Sequence, residues 1–140
     1  MEKLTIFTDG GARGNPGPAG IGVVVYSGKI IKEISKYIGE ATNNQAEYAA
    51  LIEALNYIIE NIDTEGKEIE FMLDSELVVQ QLNGKYKVKN EGLKPLYDDV
   101  QTLLLDLNQK PTFTHVRREK NQEADKLVNF ALDKQMKGDS

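Results

Sequence analysis

The alternation of apolar and polar residues predicts five strands. Their segments are rich in β-branched and aromatic residues and are bounded by turn residues. They are 3–8 (KLTIFT), 20–26 (GIGVVVY), 30–38 (IIKEISKYI), 68–73 (EIEFML) and 112–116 (TFTHV). The dipeptide Ser27-Gly28 between the second and third segments is typical of a tight hairpin. We therefore expect three consecutive strands, followed by two strands that alternate with helices.

Apolar residues recur at helical spacing in four further segments. These are 42–61, 75–82, 93–107 and 121–134. Thr42 and Gln45 have the spacing of a capping box at the start of the first helix, and Asn121 is expected to cap the last. The order βββαβααβα predicts an α/β fold with a mixed sheet and helices on its faces, in a single domain over residues 1–140.

Four acidic residues lie at the ends of these predicted elements. Asp9 is expected to end the first strand and Asp74 follows the fourth, while Glu47 and Asp125 fall near the starts of two helices. If the first and fourth strands are adjacent and parallel, their carboxyl ends lie at one edge of the sheet, where ligand sites gather. The four carboxylates would then converge. The ordinary alternative is that they complement helix dipoles and fill turns.

Converging carboxylates predict bound cations. Like charges held a few ångströms apart either raise a pKa or bind metal. Oxygen ligands without sulfur suit Mg²⁺ or Mn²⁺. Two such ions, about 3.5–4 Å apart, can hold the attacking and leaving oxygens of a phosphoryl transfer.

Composition excludes some classes of site and bears on the location and partners of the protein. The chain has 140 residues, no cysteine and a net charge of -5, so disulfides and thiolate metal sites are excluded. No apolar run approaches the roughly 18 residues of a membrane span, and MEKLTIF lacks signal-peptide architecture, so a cytoplasmic location is expected. The acidic charge counts against a nucleic-acid partner, although two divalent cations would offset four negative charges.

Four motifs in order resemble ribonuclease H of type 1. They are TDGGARGNPGP at 8–18, TNNQAEY at 42–48, LDSELVVQQLNG at 73–84 and HVRREKNQEAD at 115–125. The resemblance implies a five-stranded mixed sheet of order 3-2-1-4-5 with helices on both faces. It also implies an endonuclease that hydrolyses the RNA strand of RNA–DNA hybrids with two Mg²⁺ ions, leaving 3′-hydroxyl and 5′-phosphate ends, with Mn²⁺ as a possible substitute. The expected partner is the hybrid, with no membrane, no obligate protein partner and a monomeric state.

The same resemblance assigns site residues. The metal-binding and catalytic carboxylates would be Asp9, which bridges both ions, Glu47, Asp74 and Asp125. Substrate contacts would come from Gly10, Gly11, Asn15, Thr42, Asn43, Asn44 and Gln45. The glycines would let the backbone approach a ribose 2′-hydroxyl, because no Cβ intervenes. The alternative is that this glycine-rich turn, residues 10–20 after Asp9, is merely a stiff hairpin loop.

Two departures from the family pattern stand out. Many members carry a histidine in the loop before the fourth acid, but the only histidine here, His115, falls in a predicted strand, where a structural role is more common. Arg117 and Arg118 occupy the loop instead. Arginine cannot act as a base near neutral pH, so its role would be electrostatic. We favour Arg118 as the additional catalytic residue, with Arg117 and His115 as alternatives.

The second departure is the missing basic extension. Residues 83–95 (NGKYKVKNEGLKP) are too short to hold it, although they cluster four lysines around Tyr86. This segment is interpreted as a reduced hybrid-binding surface or as a solvated connection. Two rival functions remain: a catalytically silent hybrid-binding module, and a different nuclease such as a junction resolvase or exonuclease. The four acids count against the first rival, and the glycine and asparagine segments count against the second.

Overall fold

The computed structural model describes residues 2–138, with side-chain exposure given for 2–136. The strands in this range are β1 (Lys3–Ala12), β2 (Gly17–Tyr26), β3 (Ile30–Ala41), β4 (Glu68–Leu73) and β5 (Thr112–His115). The α-helices are α1 (Asn43–Asn61), α2 (Glu76–Leu82), α3 (Lys94–Leu104) and α4 (Gln122–Gly138). A 3₁₀ turn at Arg118–Lys120 precedes α4. The predicted order of elements is therefore confirmed.

Within the described residues the strands form a five-stranded sheet of order β3-β2-β1-β4-β5. Strand β1 pairs with β2 in the antiparallel sense and with β4 in the parallel sense, which confirms the predicted mixed sheet. Parallel pairing ends at Thr8 and Leu73, whereas the β1–β2 ladder continues to Ala12 and Ala19. The sheet therefore opens between β1 and β4 immediately after Thr8.

The region after Asp9 differs from the prediction. Gly10 and Gly11 continue β1 and pair with Ile21 and Gly20, so Asp9 lies inside the strand and not at its end. The turn covers only residues 13–16, and the Arg13 backbone N–H closes it by donating to the Pro18 carbonyl at 2.8 Å. The predicted turn over 10–20 is therefore wrong in its bounds, because residues 10–12 and 17–20 belong to the paired strands β1 and β2.

Close helix approach accounts for two glycines. A Cβ on Gly10 would lie 2.2 Å from the backbone of Ala46 in α1, and one on Gly22 would lie 2.1 Å from the carbonyl of Ala124 in α4. Contacts this short are incompatible with any larger residue unless a helix shifts. A Cβ on the next residue, Gly11, would meet Val128 of α4 instead. Since adjacent strand residues point to opposite faces, α1 and α4 cover opposite faces of the sheet, as predicted.

The larger core lies between the sheet and α1. Its main members are Leu4, Ile6, Val23, Val25, Ile69, Phe71, Tyr48, Leu51, Leu55 and Ile58, all at most 1% exposed. Helix α3 adds Val100 to this cluster. Burial of these side chains fixes β1, β4 and α1 relative to one another, and these three elements carry or precede three of the four predicted carboxylates.

Helix boundaries follow the predictions with small shifts. Thr42 and Gln45 form the predicted capping box of α1: the Gln45 N–H donates to Thr42 Oγ1 and the Thr42 N–H donates to Gln45 Oε1. Helix α3 ends at Leu104, earlier than predicted, and α4 continues beyond the predicted residue 134. None of the described helices is long and apolar enough to cross a bilayer.

Candidate active site

Asp9 lies where β1 loses its parallel neighbour. It pairs with Gly22 on the hairpin side, and on the β4 side it is the first residue beyond the last pair. Its side chain is buried, with 6% of the residue exposed. A buried carboxylate requires a compensating partner, so its surroundings decide what this position can do.

Glu47 reaches the same place from the first turns of α1. It is buried, and its Oε1 accepts a hydrogen bond of 2.6 Å from the backbone N–H of Gly10. Its second oxygen, Oε2, is buried without a hydrogen-bond partner. The close approach of α1 at Gly10 brings this carboxylate to β1, because Ala46 precedes Glu47.

Asp74 and Asp125 complete the acidic set. Asp74 follows the last residue of β4, and its Oδ2 accepts a hydrogen bond of 3.3 Å from the side-chain nitrogen of Asn121. Asp125 falls in the first turn of α4. The sequence thus places the four acids on four different elements that meet at one edge of the sheet.

The acids meet around one cavity. Within residues 2–138, one oxygen from each of Asp9, Glu47 and Asp74 lies within 4.8 Å of the other two. Asp125 lines the same cavity, which has a volume of about 380 Å³. The structure therefore brings the four carboxylates together, as the strand arrangement led us to expect.

Burial and mutual repulsion weaken the acidity of Asp9, Glu47 and Asp74. Burial, together with the charges of Asp74 and Asp125, raises the pKa of Asp9 to about 7. Burial and the charge of Asp9 raise the pKa of Glu47 well above its usual range. Burial also raises the pKa of Asp74, although the Asn121 hydrogen bond and the Arg118 charge oppose this shift. The protein alone does not compensate the negative charge of these carboxylates, so this charge can stabilise a bound cation.

The donor set suits a hard divalent cation. All the candidate ligand atoms are carboxylate oxygens, which Mg²⁺ and Mn²⁺ prefer. Glu47 contributes an oxygen to this group, and its Oε2 has no hydrogen-bond partner that would compete with a metal ion. Three carboxylates from separate elements, held by the core and not by a flexible loop, form a site that a cation would complete.

The residues considered in place of a loop histidine lie close by. Arg118, the first residue of the 3₁₀ turn, lines the cavity together with the four acids. His115 is the exposed last residue of β5, opposite Leu73, and its charge acts on Asp74. Arg117 precedes the turn and is exposed. Among the two arginines, the position of Arg118 suits an electrostatic role better.

A second polar group, the loop–helix corner, comprises Asn15, Thr42, Asn43, Asn44 and Gln45. The Asn43 N–H donates to Asn15 Oδ1 at 3.0 Å, and Asn43 Oδ1 accepts from the Ala12 N–H at 2.9 Å. Asn43 and Asn44 line the acidic cavity, and Asn44 also lines an adjoining cavity of about 230 Å³ with the other corner residues Asn15, Thr42 and Gln45. The predicted substrate-contact residues thus form a continuous surface beside the acids.

Gly10 and Gly11 have different roles in the structure. The N–H of Gly10 is engaged by Glu47, and the α1 backbone occupies the space where its Cβ would lie. Helix packing therefore explains the glycine at Gly10. At Gly11 the nearest atom to a Cβ would be 3.9 Å away, so packing does not require glycine there, and the predicted ribose approach is better suited to Gly11.

Sequence reasoning missed two contributors to the site. Asn121 was expected to cap α4, but its Oδ1 has no hydrogen-bond partner in the described structure and its nitrogen donates to Thr8 and Asp74. Arg13 bonds Asp133 and Asn129 of α4 and lines the cavity with Asn129. The signal for Asn121 was its spacing four residues before Asp125, whereas Arg13 had no local signal.

Comparison with known proteins agrees with this architecture. The family model described as reverse transcriptase-like matches residues 7–131. Ribonuclease H of Erythrobacter litoralis is 36% identical over 148 residues, covering 96% of this chain and 99% of the relative. The chain belongs to the ribonuclease H family.

Other relatives are longer. Bifunctional protein Rv2228c of Mycobacterium tuberculosis is 40% identical over 134 residues, which cover 94% of this chain and 36% of the relative. The chain therefore spans about a third of the length of that protein. LC11-RNase H1, isolated from compost by a metagenomic approach, has a solved structure that superposes with a TM-score of 0.90 at 48% identity, covering 97% of this chain and 99% of that one. The same protein has been solved in complex with an RNA/DNA hybrid, with a TM-score of 0.88 at 47% identity over 95% and 99% of the two chains.

Proposed function

We propose that this protein is an endonuclease that hydrolyses the RNA strand of RNA–DNA hybrids using two divalent cations, Mg²⁺ or Mn²⁺. The observation that carries the proposal is the convergence of Asp9, Glu47 and Asp74 within 4.8 Å, with an unpartnered oxygen on Glu47. Family membership and the hybrid complex of LC11-RNase H1 support the choice of substrate.

The four carboxylates would hold the cations. Asp9, which lies in β1 just beyond the last pair with β4, would hold the ions together with Glu47, Asp74 and Asp125. Bound ions would supply an activated water and neutralise charge on the leaving 3′-oxygen. Asp74 would orient the water, and the products would be 3′-hydroxyl and 5′-phosphate ends.

Neighbouring residues would bind and orient the hybrid. Arg118 lines the cavity and would stabilise negative charge at the scissile phosphate. Asn15 and Thr42 would hold a phosphate of the DNA strand, and Asn43, Asn44 and Gln45 would lie along the minor groove. The Gly11 backbone, with no side chain in the way, would approach a ribose 2′-hydroxyl, the group that distinguishes RNA from DNA.

The decisive experiment uses one labelled RNA strand paired with DNA, paired with RNA or left single. Each substrate is incubated with Mg²⁺, Mn²⁺ or EDTA, and an all-DNA duplex serves as a fourth substrate. We expect metal-dependent internal cleavage of RNA in the hybrid and no cleavage of the all-DNA duplex, and the RNA duplex tests whether double-stranded RNA is also cut. Hybrid binding without cleavage under either metal would establish the silent module instead, and metal-dependent cutting of the all-DNA duplex would establish a different nuclease.

A further inference from the structure

One buried side chain joins the separate elements of the acidic site. Asn121 is 1% exposed, and its Nδ2 donates to the Thr8 carbonyl at 2.9 Å and to Asp74 Oδ2 at 3.3 Å. Thr8 and Leu73 form the last pair of the parallel β1–β4 ladder. Asn121 therefore lies where β1 and β4 stop pairing, at the point that Asp9 and Asp74 follow along the two strands.

The backbone around Asn121 is held independently of its side chain. The Val116 N–H donates to the Leu73 carbonyl at 2.8 Å, and the Asn121 N–H donates to the Arg118 carbonyl at 2.9 Å. The Asp125 N–H then donates to the Asn121 carbonyl at 3.1 Å, which continues into α4. The position of Asn121 is thus set by the 3₁₀ turn, and its carboxamide is free to serve the site.

The hydrogen bond from Asn121 to Asp74 counteracts the repulsion between Asp74 and Asp125. Asp74 is only half-buried, and the neighbouring Asp125 charge repels its charged form. A neutral amide donor can hold a carboxylate in place. It adds no positive charge that would compete with a bound cation for that carboxylate. An isolated cap role is not supported, because the Asn121 oxygen that would accept from the helix has no partner in the described residues.

We propose that Asn121 is a positioning residue that orients Asp74 towards Asp9 and Glu47, so that the carboxylates are arranged for a divalent cation before one binds. This inference rests on the proposed function of the same site. It assigns Asn121 an effect through Asp74, not through contact with substrate. Hydrogen-bonding partners behind metal ligands typically change metal affinity by about 10–100-fold when removed.

The test compares Asn121→Ala with Gln81→Ala. Gln81 is also buried, and it accepts a hydrogen bond of 2.5 Å from the Tyr48 hydroxyl, so its truncation costs a buried hydrogen bond in which none of the four acids takes part. Mn²⁺ affinity is measured by calorimetry without substrate, together with the unfolding temperature, kcat and the KM for the hybrid. Asn121→Ser provides a smaller change if the alanine variant does not fold.

We expect Asn121→Ala to weaken Mn²⁺ binding by about 10-fold or more and to lower kcat at saturating metal, with the KM for the hybrid unchanged. Gln81→Ala should lose stability without losing metal affinity. Mn²⁺ affinity of Asn121→Ala within twofold of wild type, or an equal loss in Gln81→Ala, would overturn the positioning role. Failure of wild-type protein to bind Mn²⁺ or cleave hybrid would instead reject the proposed function.

Discussion

The acidic cavity and the loop–helix corner lie side by side but are built in opposite ways. In the corner, polar groups pair with one another: Asn15 with the Asn43 backbone, Asn43 with the Ala12 backbone, and Thr42 with Gln45. In the cavity, Glu47 Oε2 has no hydrogen-bond partner, and burial raises the pKa values of Asp9 and Glu47. The corner is held by hydrogen bonds within the free protein, whereas the cavity is arranged for an added positive charge.

This difference separates two requirements of a nuclease for a charged duplex. A surface that positions a backbone benefits from rigidity, because ordering its groups on binding would cost entropy. A metal site benefits from carboxylates that the protein does not neutralise, at some cost in stability. Substitutions in the cavity should therefore change chemistry strongly, and substitutions in the corner should change binding and folding modestly.

The largest effect is expected for Asp9→Asn. Loss of the central carboxylate should lower cleavage of the hybrid by at least about 10²–10³-fold, the range for removing one group that stabilises reaction charge, while hybrid binding persists. Asp99→Asn is the matched control, since Asp99 is an exposed acid of α3 that does not line the acidic cavity. Single-turnover cleavage and fluorescence anisotropy measure the two properties. Turnover of Asp9→Asn within tenfold of wild type would contradict a bridging role.

Gly10→Ala and Gly11→Ala should separate packing from substrate approach. The Gly10 Cβ would lie 2.2 Å from the Ala46 backbone, so this variant should lose about 3 kcal/mol of unfolding free energy, as in overpacked cores. Gly11→Ala should keep its stability, since the nearest contact would be 3.9 Å away, but bind the hybrid more weakly. Urea unfolding and hybrid titration distinguish them. Unchanged affinity in Gly11→Ala would remove the ribose-approach explanation.

The third prediction concerns pH. The pKa of Asp9 is raised from 3.8 to about 7 in the fold, so between these values the folded state holds more protons than the unfolded state. Stability of the metal-free protein should therefore fall as pH rises from about 4 to 7, by about 1–3 kcal/mol. Thermal unfolding in EDTA should show this fall, with a smaller one in Asp9→Asn. Mg²⁺ should restore stability at neutral pH, and a flat profile in EDTA would be the contrary result.

The smallest effect is expected for Thr42→Ala. It removes the hydrogen bond that the Gln45 N–H donates to Thr42 Oγ1 in the capping box of α1 and should cost about 1 kcal/mol of unfolding free energy. Hybrid affinity, measured in the Asp9→Asn background to prevent cleavage, should fall if Thr42 also meets a phosphate. Thr42→Ser keeps the hydroxyl and should behave like wild type. Loss of affinity in the serine variant as well would argue against a hydroxyl contact.

Local patterns predicted the elements and their order along the chain, because apolar runs and helical spacing are local signals. The sheet order came from the resemblance to ribonuclease H of type 1, and the convergence of the acids depended on β1 and β4 being adjacent and parallel. Local patterns did not predict that Asp9 lies within β1. The glycines after it look like turn residues locally, but Gly10 is required by Ala46, 36 positions further along the chain. The function of Asn121 was likewise hidden, because its partners Thr8 and Asp74 are distant in sequence and only the folded chain brings them together.

The contact between Gly10 and α1 links architecture to chemistry. Where a side chain would normally hold a helix away from the sheet, the two backbones touch, and Glu47 comes near enough to accept the Gly10 N–H. The distance between the sheet and α1 thus determines how close the Glu47 carboxylate comes to the other acids. Variation in substrate preference should therefore be sought in the connecting segments, since any shift of this helix would withdraw an acid from the centre.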